Sequence, residues 1–465
     1  MNIVAISALA IGCGDSAPLG NGNATTVQVC LQSDDCGVGQ RCVNAVCQRM
    51  WLAAFESGYG TKEELWLLPE VGDPVRVIGP EGGPAPSDLV PRSTAGYEDD
   101  LGRIGNVVFD ADTQRLFVGL EVRSGYEARA LDFSSGTWST LGTSVSRPVI
   151  VQAELGLIIV LPGADSTKIL SQVNGVFEVA LAGPVSPYSI YESDIHRYAL
   201  GAGERIYIPG VIHVERTATG YVPVELPPGV PADLGWFRGS PSGTHACAAA
   251  RDGTAWLLDG THTIKLDLPS PLGGCQFAKR GDRLLFGSGY SGQSTKWVLD
   301  LRGNVLASFN NLDLQIDQSA IGYGSVGHSV VEVDWSTLSL HTLLSLGVDA
   351  GYQAGRARLW LMGESLLVEQ DMGCIDCHAS SLDVLTIAGE TVKSVLDFHG
   401  WDFMQVAILA DGTALVARSS ALGSTEALSP DRLLRFDTRG GVTDVGPFPG
   451  LVSDLHAPIA LSIRR

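Results

Sequence analysis

The sequence predicts an all-β fold of repeated antiparallel units, and three observations carry that reading. The chain holds 56 Gly and 23 Pro in 465 residues, a composition that suits many short strands joined by tight turns. From Trp51 onward there is no sustained 3.6-residue apolar periodicity of the kind an amphipathic helix needs. Instead, short β-type runs recur in pairs separated by a turn, with roughly one pair per 46 residues. Hydrophobic residues make up 45% and charged residues 18%, which allows a sizeable core.

The clearest pairs are 130–133 with 138–141, 297–300 with 305–308, 330–334 with 338–343, and 433–437 with 442–445. In these four an aspartate closes the first run: Asp132, Asp300, Asp334 and Asp437. An aspartate there caps a turn by accepting backbone N–H groups, so it needs no ligand. A second echo is Asp252-Gly253-Thr254-Ala255 against Asp411-Gly412-Thr413-Ala414, each opening an apolar strand.

A repeat of about 40–50 residues is that of a four-stranded β-propeller blade. Residues 51–465 resemble β-propeller proteins in architecture, and the resemblance implies about eight blades, with seven to nine compatible. The terminal run Ile459-Ala460-Leu461-Ser462-Ile463 is expected to complete the first blade and remove the exposed edges. An irregular array of two-sheet sandwiches is the alternative. The WD40 signature and paired kelch glycines are missing, and Trp401-Asp402 is a lone dipeptide, so the resemblance implies no family function.

Ahead of this body, residues 1–12 carry the apolar run Ile3-Val4-Ala5-Ile6-Ser7-Ala8-Leu9-Ala10-Ile11. It is shorter than the ~20 residues of a membrane span and suits an export signal. The sequence Ala10-Ile11-Gly12-Cys13 resembles the lipobox of bacterial lipoproteins, which implies cleavage before Cys13 and lipidation of its thiol. Ala10 stands where leucine is usual, and Met1-Asn2 lacks the usual positive charge; an ordinary signal peptide is the other reading. The expectation is an exported, lipid-anchored protein of the bacterial cell envelope, on the outer membrane or cell surface, with no transmembrane helix.

Setting Cys13 aside leaves eight of the nine cysteines, an even number that suits an oxidising compartment. Cys30, Cys36, Cys42 and Cys47 form a block too short to bury a core, so disulfides must stabilise it. The block resembles small cysteine-rich modules that follow lipoboxes in secreted bacterial proteins. Zinc is the alternative, but no Cys-x2-Cys pair is present in it. Residues 13–29 read as a polar flexible tether. Cys247 and Cys275 fall in adjacent units, where a disulfide between blades or two buried thiols would fit. The organisation is thus signal 1–12, tether 13–29, cysteine-rich module 30–48 and propeller 51–465.

Cys374-Ile375-Asp376-Cys377-His378 has the spacing of a c-type haem attachment site, in which two thiols bind the vinyl groups and the histidine lies on the iron. It sits between two β-type runs with no helical cytochrome domain around it. Its readings are a disulfide closing the hairpin (with no cofactor), a haem c site at Cys374, Cys377 and His378, or a redox or metal site.

The formal charge of −20, without any basic run, excludes a phosphate backbone as a natural partner. Hydrolase, zinc-protease and phosphate-loop motifs are absent. Asp110-Ala111-Asp112 has no calcium-loop spacing behind it and reads as a turn. His196, His213, His245, His262, His328, His341, His399 and His456 are scattered, and no catalytic residue is assigned. The expected function is a monomeric, surface-displayed binding or scaffold module for a protein or glycan partner. A propeller hydrolase or lyase with a metal in the central channel, and an electron-transfer protein carrying haem, are the rivals.

Overall fold

The computed structural model describes residue 36 and residues 40–78, 104–180, 196–345, 357–398, 403–447 and 452–456, short connections within these ranges excepted. Among the described residues the chain forms nine four-stranded antiparallel sheets and one two-stranded hairpin. The nine sheets are the blades of a β-propeller, at the upper end of the expected count.

Strands are numbered 1 to 4 within a blade, from the ring axis outward. Blade 2 is Ile104–Asp110, Arg115–Val122, Gly125–Asp132 and Thr137–Ser144, and blades 3 to 9 repeat this meander in chain order. Blade 1 differs. Its strands 2 to 4 are Trp51–Ser57, Glu64–Pro69 and Val75–Ile78, and its strand 1 is Val452–His456 from the far end of the chain. Ala54 pairs with His456 and Ser57 with Val452. The ring therefore closes through 452–456 rather than 459–463, which lie outside the described residues. The expectation failed because an apolar run was sought, whereas the closing strand Val-Ser-Asp-Leu-His is mostly polar, with only Val452 and Leu455 apolar.

Ring closure is visible in the core, which divides into nine apolar clusters, each shared by two successive blades. One joins blades 1 and 2 through Leu65, Phe109 and Leu116. Another joins blades 5 and 6 through Leu257, Phe286 and Leu299. The last joins blade 9 back to blade 1 through Leu415, Leu433, Ala53 and Leu68. Because strand 2 is covered on both faces, it reads as a continuous apolar run: Ala246–Ala250 is buried at every position. Strand 4 at the rim is solvated, and Ser339–Ser345 has no buried residue. This explains why the sequence shows apolar runs followed by weak, polar strands.

The aspartate-closed pairs are all strand 3–strand 4 hairpins, in blades 2, 6, 7 and 9. Asp300 Oδ1 accepts from the backbone N–H groups of Arg302 and Asn304, both at 2.8 Å. Asp334 receives Ser336 N–H at 2.7 Å, and Asp437 receives Arg439 and Gly441 N–H at 2.8 and 2.7 Å. The capping role is met at these three, whereas Asp132 contacts Arg115 Nε at 3.4 Å. The Asp252 and Asp411 echo, however, joins unlike turns: Asp252 lies between strands 2 and 3 of blade 5, Asp411 between strands 1 and 2 of blade 9. Both carboxylates cap locally, on Thr254 and Thr413 N–H, so similar turn chemistry arose at opposite ends of a blade.

The hairpin Gln40–Val43 and Val46–Arg49 is separated from Trp51 by a single residue, Met50. A Cys36–Cys47 disulfide secures it, although Cys42 is the register partner of Cys47. Trp51 begins strand 2 beside the His456 end of strand 1. The small module thus enters the ring at the end where the strand 1–2 and 3–4 turns lie.

Candidate functional site

Innermost strands are flanked on both faces by neighbouring blades, so an exposed side chain on one of them meets solvent along the ring axis or at its mouths. Blades 5 to 9 each place a polar residue there: Arg238, Gln276, Gln315, Arg358 and Gln405. All five are half-buried or exposed. Arg238, Gln276, Arg358 and Gln405 each interrupt an otherwise apolar strand, the one signal that could have marked them in the sequence; Gln315 shares its strand with Asp313 and Asp317.

Gln315 lies at a bulge in strand 1 of blade 7. Its Nε2 donates to the Ala357 carbonyl at 2.6 Å and its Oε1 accepts Leu359 N–H at 2.9 Å. The amide thereby satisfies the free edge of blade 8 on both sides of Arg358, as a further strand would. Arg358 is left 68% exposed, with its guanidinium 3.6 Å from Glu369, a distance at which an exposed pair contributes little.

Blades 5 and 6 build a tighter arrangement. Strand 1 of blade 5, Leu234–Gly239, presents Trp236 and Arg238 to blade 6; on strand 1 of blade 6, Gly274–Phe277, Gly274 meets the Trp236 ring, while Gln276, paired with Leu285, lies on the face toward blade 7. The Trp236 ring lies so close over Gly274 that a Cβ there would stand 3.2 Å from it. The Arg238 guanidinium lies over the same ring, 5.8 Å from its centroid, and Nη1 donates to the Phe237 carbonyl at 3.3 Å. A cation held over an indole is favoured by the ring quadrupole. Cys247 is the register partner of Arg238, and it is bonded to Cys275, between Gly274 and Gln276. Both sulfurs belong to buried residues. The expected inter-blade disulfide therefore stands directly behind this wall.

Other titratable groups serve the packing between blades. His213 on strand 3 of blade 4 lies against Tyr207, itself stacked on Phe237 of blade 5 with centroids 4.7 Å apart. Burial and then the Arg205 charge lower the His213 pKa to about 4, so the ring is neutral near pH 7. Asp317 accepts Lys279 N–H across blades 6 and 7 and Trp335 Nε1–H at 2.8 Å; burial nevertheless raises its pKa. Lys296 is lowered by burial, against the opposing pull of Asp313 on the next blade.

Several sequence candidates are placed apart. Cys374, Cys377 and His378 fall between strands 2 and 3 of blade 8, outside the described residues; so do Cys13 and Cys30, and His328 and His399. Asp110 is fully buried and ends strand 1 of blade 2, with strand 2 beginning at Arg115, in keeping with a connection between strands at this point. His245, His262 and His341 sit on blades 5, 5 and 7 without converging with His213. Among the described residues no three His, Cys, Asp or Glu side chains form a metal-binding group.

These features define the class: a nine-bladed β-propeller, closed by its C-terminal strand and stapled between blades 5 and 6. The chain matches no protein-family profile and no curated protein in sequence. It is similar in structure to dihydro-haem d1 dehydrogenase NirN in complex with DHE, at 13% identity and TM-score 0.43, over 75% of this chain and 73% of that one. A prolyl endopeptidase is similar at 12% identity and TM-score 0.38, over 89% of this chain but 51% of that one. Apo AztD from Citrobacter koseri is similar at 11% identity and TM-score 0.33, over 63% and 93%. At these values the likeness concerns fold and carries no argument about activity.

Proposed function

We propose that the chain is a propeller binding or scaffold module, tethered to the bacterial envelope through a lipidated Cys13 and the spacer 13–29, that holds a protein or glycan partner on its outward end. The observation that supports this is a division between the two ends of the ring. Connections between strands 2 and 3 and between successive blades include the long stretches 79–103, 181–195 and 420–431. The described strands that flank each of them begin or end at the end of the ring opposite the one where the N-terminal module enters. A tether at one end and the longest connections at the other suit display of a binding face.

The test is made on protein extracted with detergent from a host competent for lipidation and for cytochrome c maturation. The expected product is membrane-associated, begins at Cys13, and is colourless, with Cys374 and Cys377 joined in a non-reducing peptide map. Cys13→Ser should move it to the soluble fraction. A variant that stays membrane-bound overturns the tether. A Soret band that survives denaturation and vanishes in Cys374→Ala/Cys377→Ala makes electron transfer the function instead.

A further inference from the structure

We propose that the strand 3–4 turns of blades 6, 7, 9 and 1 form a lipid-facing edge, which seats the ring on the bilayer that anchors Cys13 and turns the opposite end outward. The inference rests on the Cys13 tether and names the surface by which the tethered ring meets the membrane.

Among the described residues seven large apolar side chains are exposed, and five of them stand at these turns. Val71 lies in the turn of blade 1, while Val305 and Leu306, Leu340, and Val442 open strand 4 of blades 6, 7 and 9. Each is between 38% and 51% exposed. The other two, Val145 and Val222, lie toward the opposite end, on blades 2 and 4. Strand 4 does not itself require an apolar start, since the exposed Thr137 and His262 begin it in blades 2 and 5.

The turns of blades 6, 7 and 9 are those capped by Asp300, Asp334 and Asp437, so their apolar side chains are presented on ordered backbone at little entropic cost. Blade 1 is where the N-terminal module enters, at this same end. Even drawn out straight, the spacer 13–29 holds the module within on the order of 60 Å of its lipid. The side chains stand on separate blade tips rather than in one groove, so whatever covers them together is broad and flat. A bilayer meets that description and a bound peptide does not. Charge does not select this face: Lys279, Arg280 and Arg302 stand beside Asp282 and Asp300 at the same end of blade 6. The contact is therefore apolar. It is too small to hold a free chain on lipid, and it depends on the tether to make docking intramolecular.

Hydroxyl-radical footprinting tests this on the full-length chain, lipidated and bound to phosphatidylcholine–phosphatidylethanolamine vesicles, against soluble Cys13→Ser. Labelling of Leu306 and Leu340 should fall about threefold on vesicles, as half-exposed side chains enter the head-group region, and that of Val145 and Val222 should not change. The protection should persist in about 0.5 M salt, which screens charge beyond a few ångströms. In Leu306→Ser/Leu340→Ser, whose fold circular dichroism verifies, the chain should stay on vesicles while Val442 and Val71 lose their protection. Vesicle-bound protein without protection of Leu306 and Leu340, or with Val222 protected alongside them, overturns the docking and leaves the tether. Protection lost in salt, or seen only in vesicles that carry native envelope proteins, also overturns it. A lipidation-competent host whose product does not bind vesicles removes the tether and the docking together.

Discussion

His213 shows how a single side chain sets a pH limit on the ring. Buried between strands of blade 4 and beside Arg205, which also pairs with Glu215 at 2.9 Å, it has a folded pKa near 4 against 6.5 when exposed. The unfolded chain therefore takes up a proton at a pH where the folded chain does not. Stability from this site is intact above pH 6.5, declines as pH falls from 6.5 to about 4, and is fully lost below that, by up to roughly 3 kcal/mol. The aspartates that cap turns behave separately. Hydrogen bonds from Ser336 hold Asp334 down to about 2, so its contribution fades only under more acid conditions. Urea unfolding between pH 7 and 4.5 should show the midpoint falling, and His213→Asn should flatten that slope. A slope unchanged in the variant would assign the acid sensitivity elsewhere.

Among elements, strands 1 and 2 of blade 7 approach closely at Gly324, the register partner of Leu314. A Cβ on Gly324 would strike the Asp313 carbonyl oxygen and stand 2.9 Å from Leu314 Cα; both obstacles are backbone, so the strand itself would have to shift. Gly327, three residues on, has φ +56° but nothing within 4 Å of an added Cβ. Gly324→Ala should therefore cost about 2–3 kcal/mol through backbone displacement. Gly327→Ala should cost about 1 kcal/mol through the left-handed conformation alone. Denaturation curves of the two variants check the order; equal losses would show that conformation, not the close approach, dominates. Neither difference is legible in the sequence, since both glycines occupy the same Ile-Gly-Tyr-Gly-Ser-Val-Gly stretch. The pairing partner that makes one of them indispensable is a strand apart.

At the scale of the whole molecule, stability depends on closure. Removing residues 452–465 takes strand 1 from blade 1, frees the edge of Trp51–Ser57, and loosens the cluster shared by Ala53, Leu68, Leu415 and Leu433. The truncated chain should unfold with lower cooperativity and associate through the exposed edge. A peptide spanning 450–465 supplied in trans should restore both properties. A monomeric truncation with an unchanged transition would mean that the nine blades do not depend on the ring. The Cys247–Cys275 staple lies away from this seam, so it holds blades 5 and 6 together without substituting for closure.

Period and turn chemistry were readable in the chain because each is local. Asp300, Asp334 and Asp437 cap their turns with N–H groups two to four residues away, and a blade is a meander of neighbouring strands. The hairpin count likewise led to a propeller of the right order. What required the fold was every relation between distant segments. The ring's closure onto Trp51–Ser57 by a mostly polar strand that no apolar search would select is one case. The wall of Trp236, Arg238 and Gly274 is another, because its members lie on strands of two different blades. Local sequence specifies which residues pair along a blade. Only the packing of one blade's face on the next decides which side chains remain at the axis, and with them the chemistry the ring can offer.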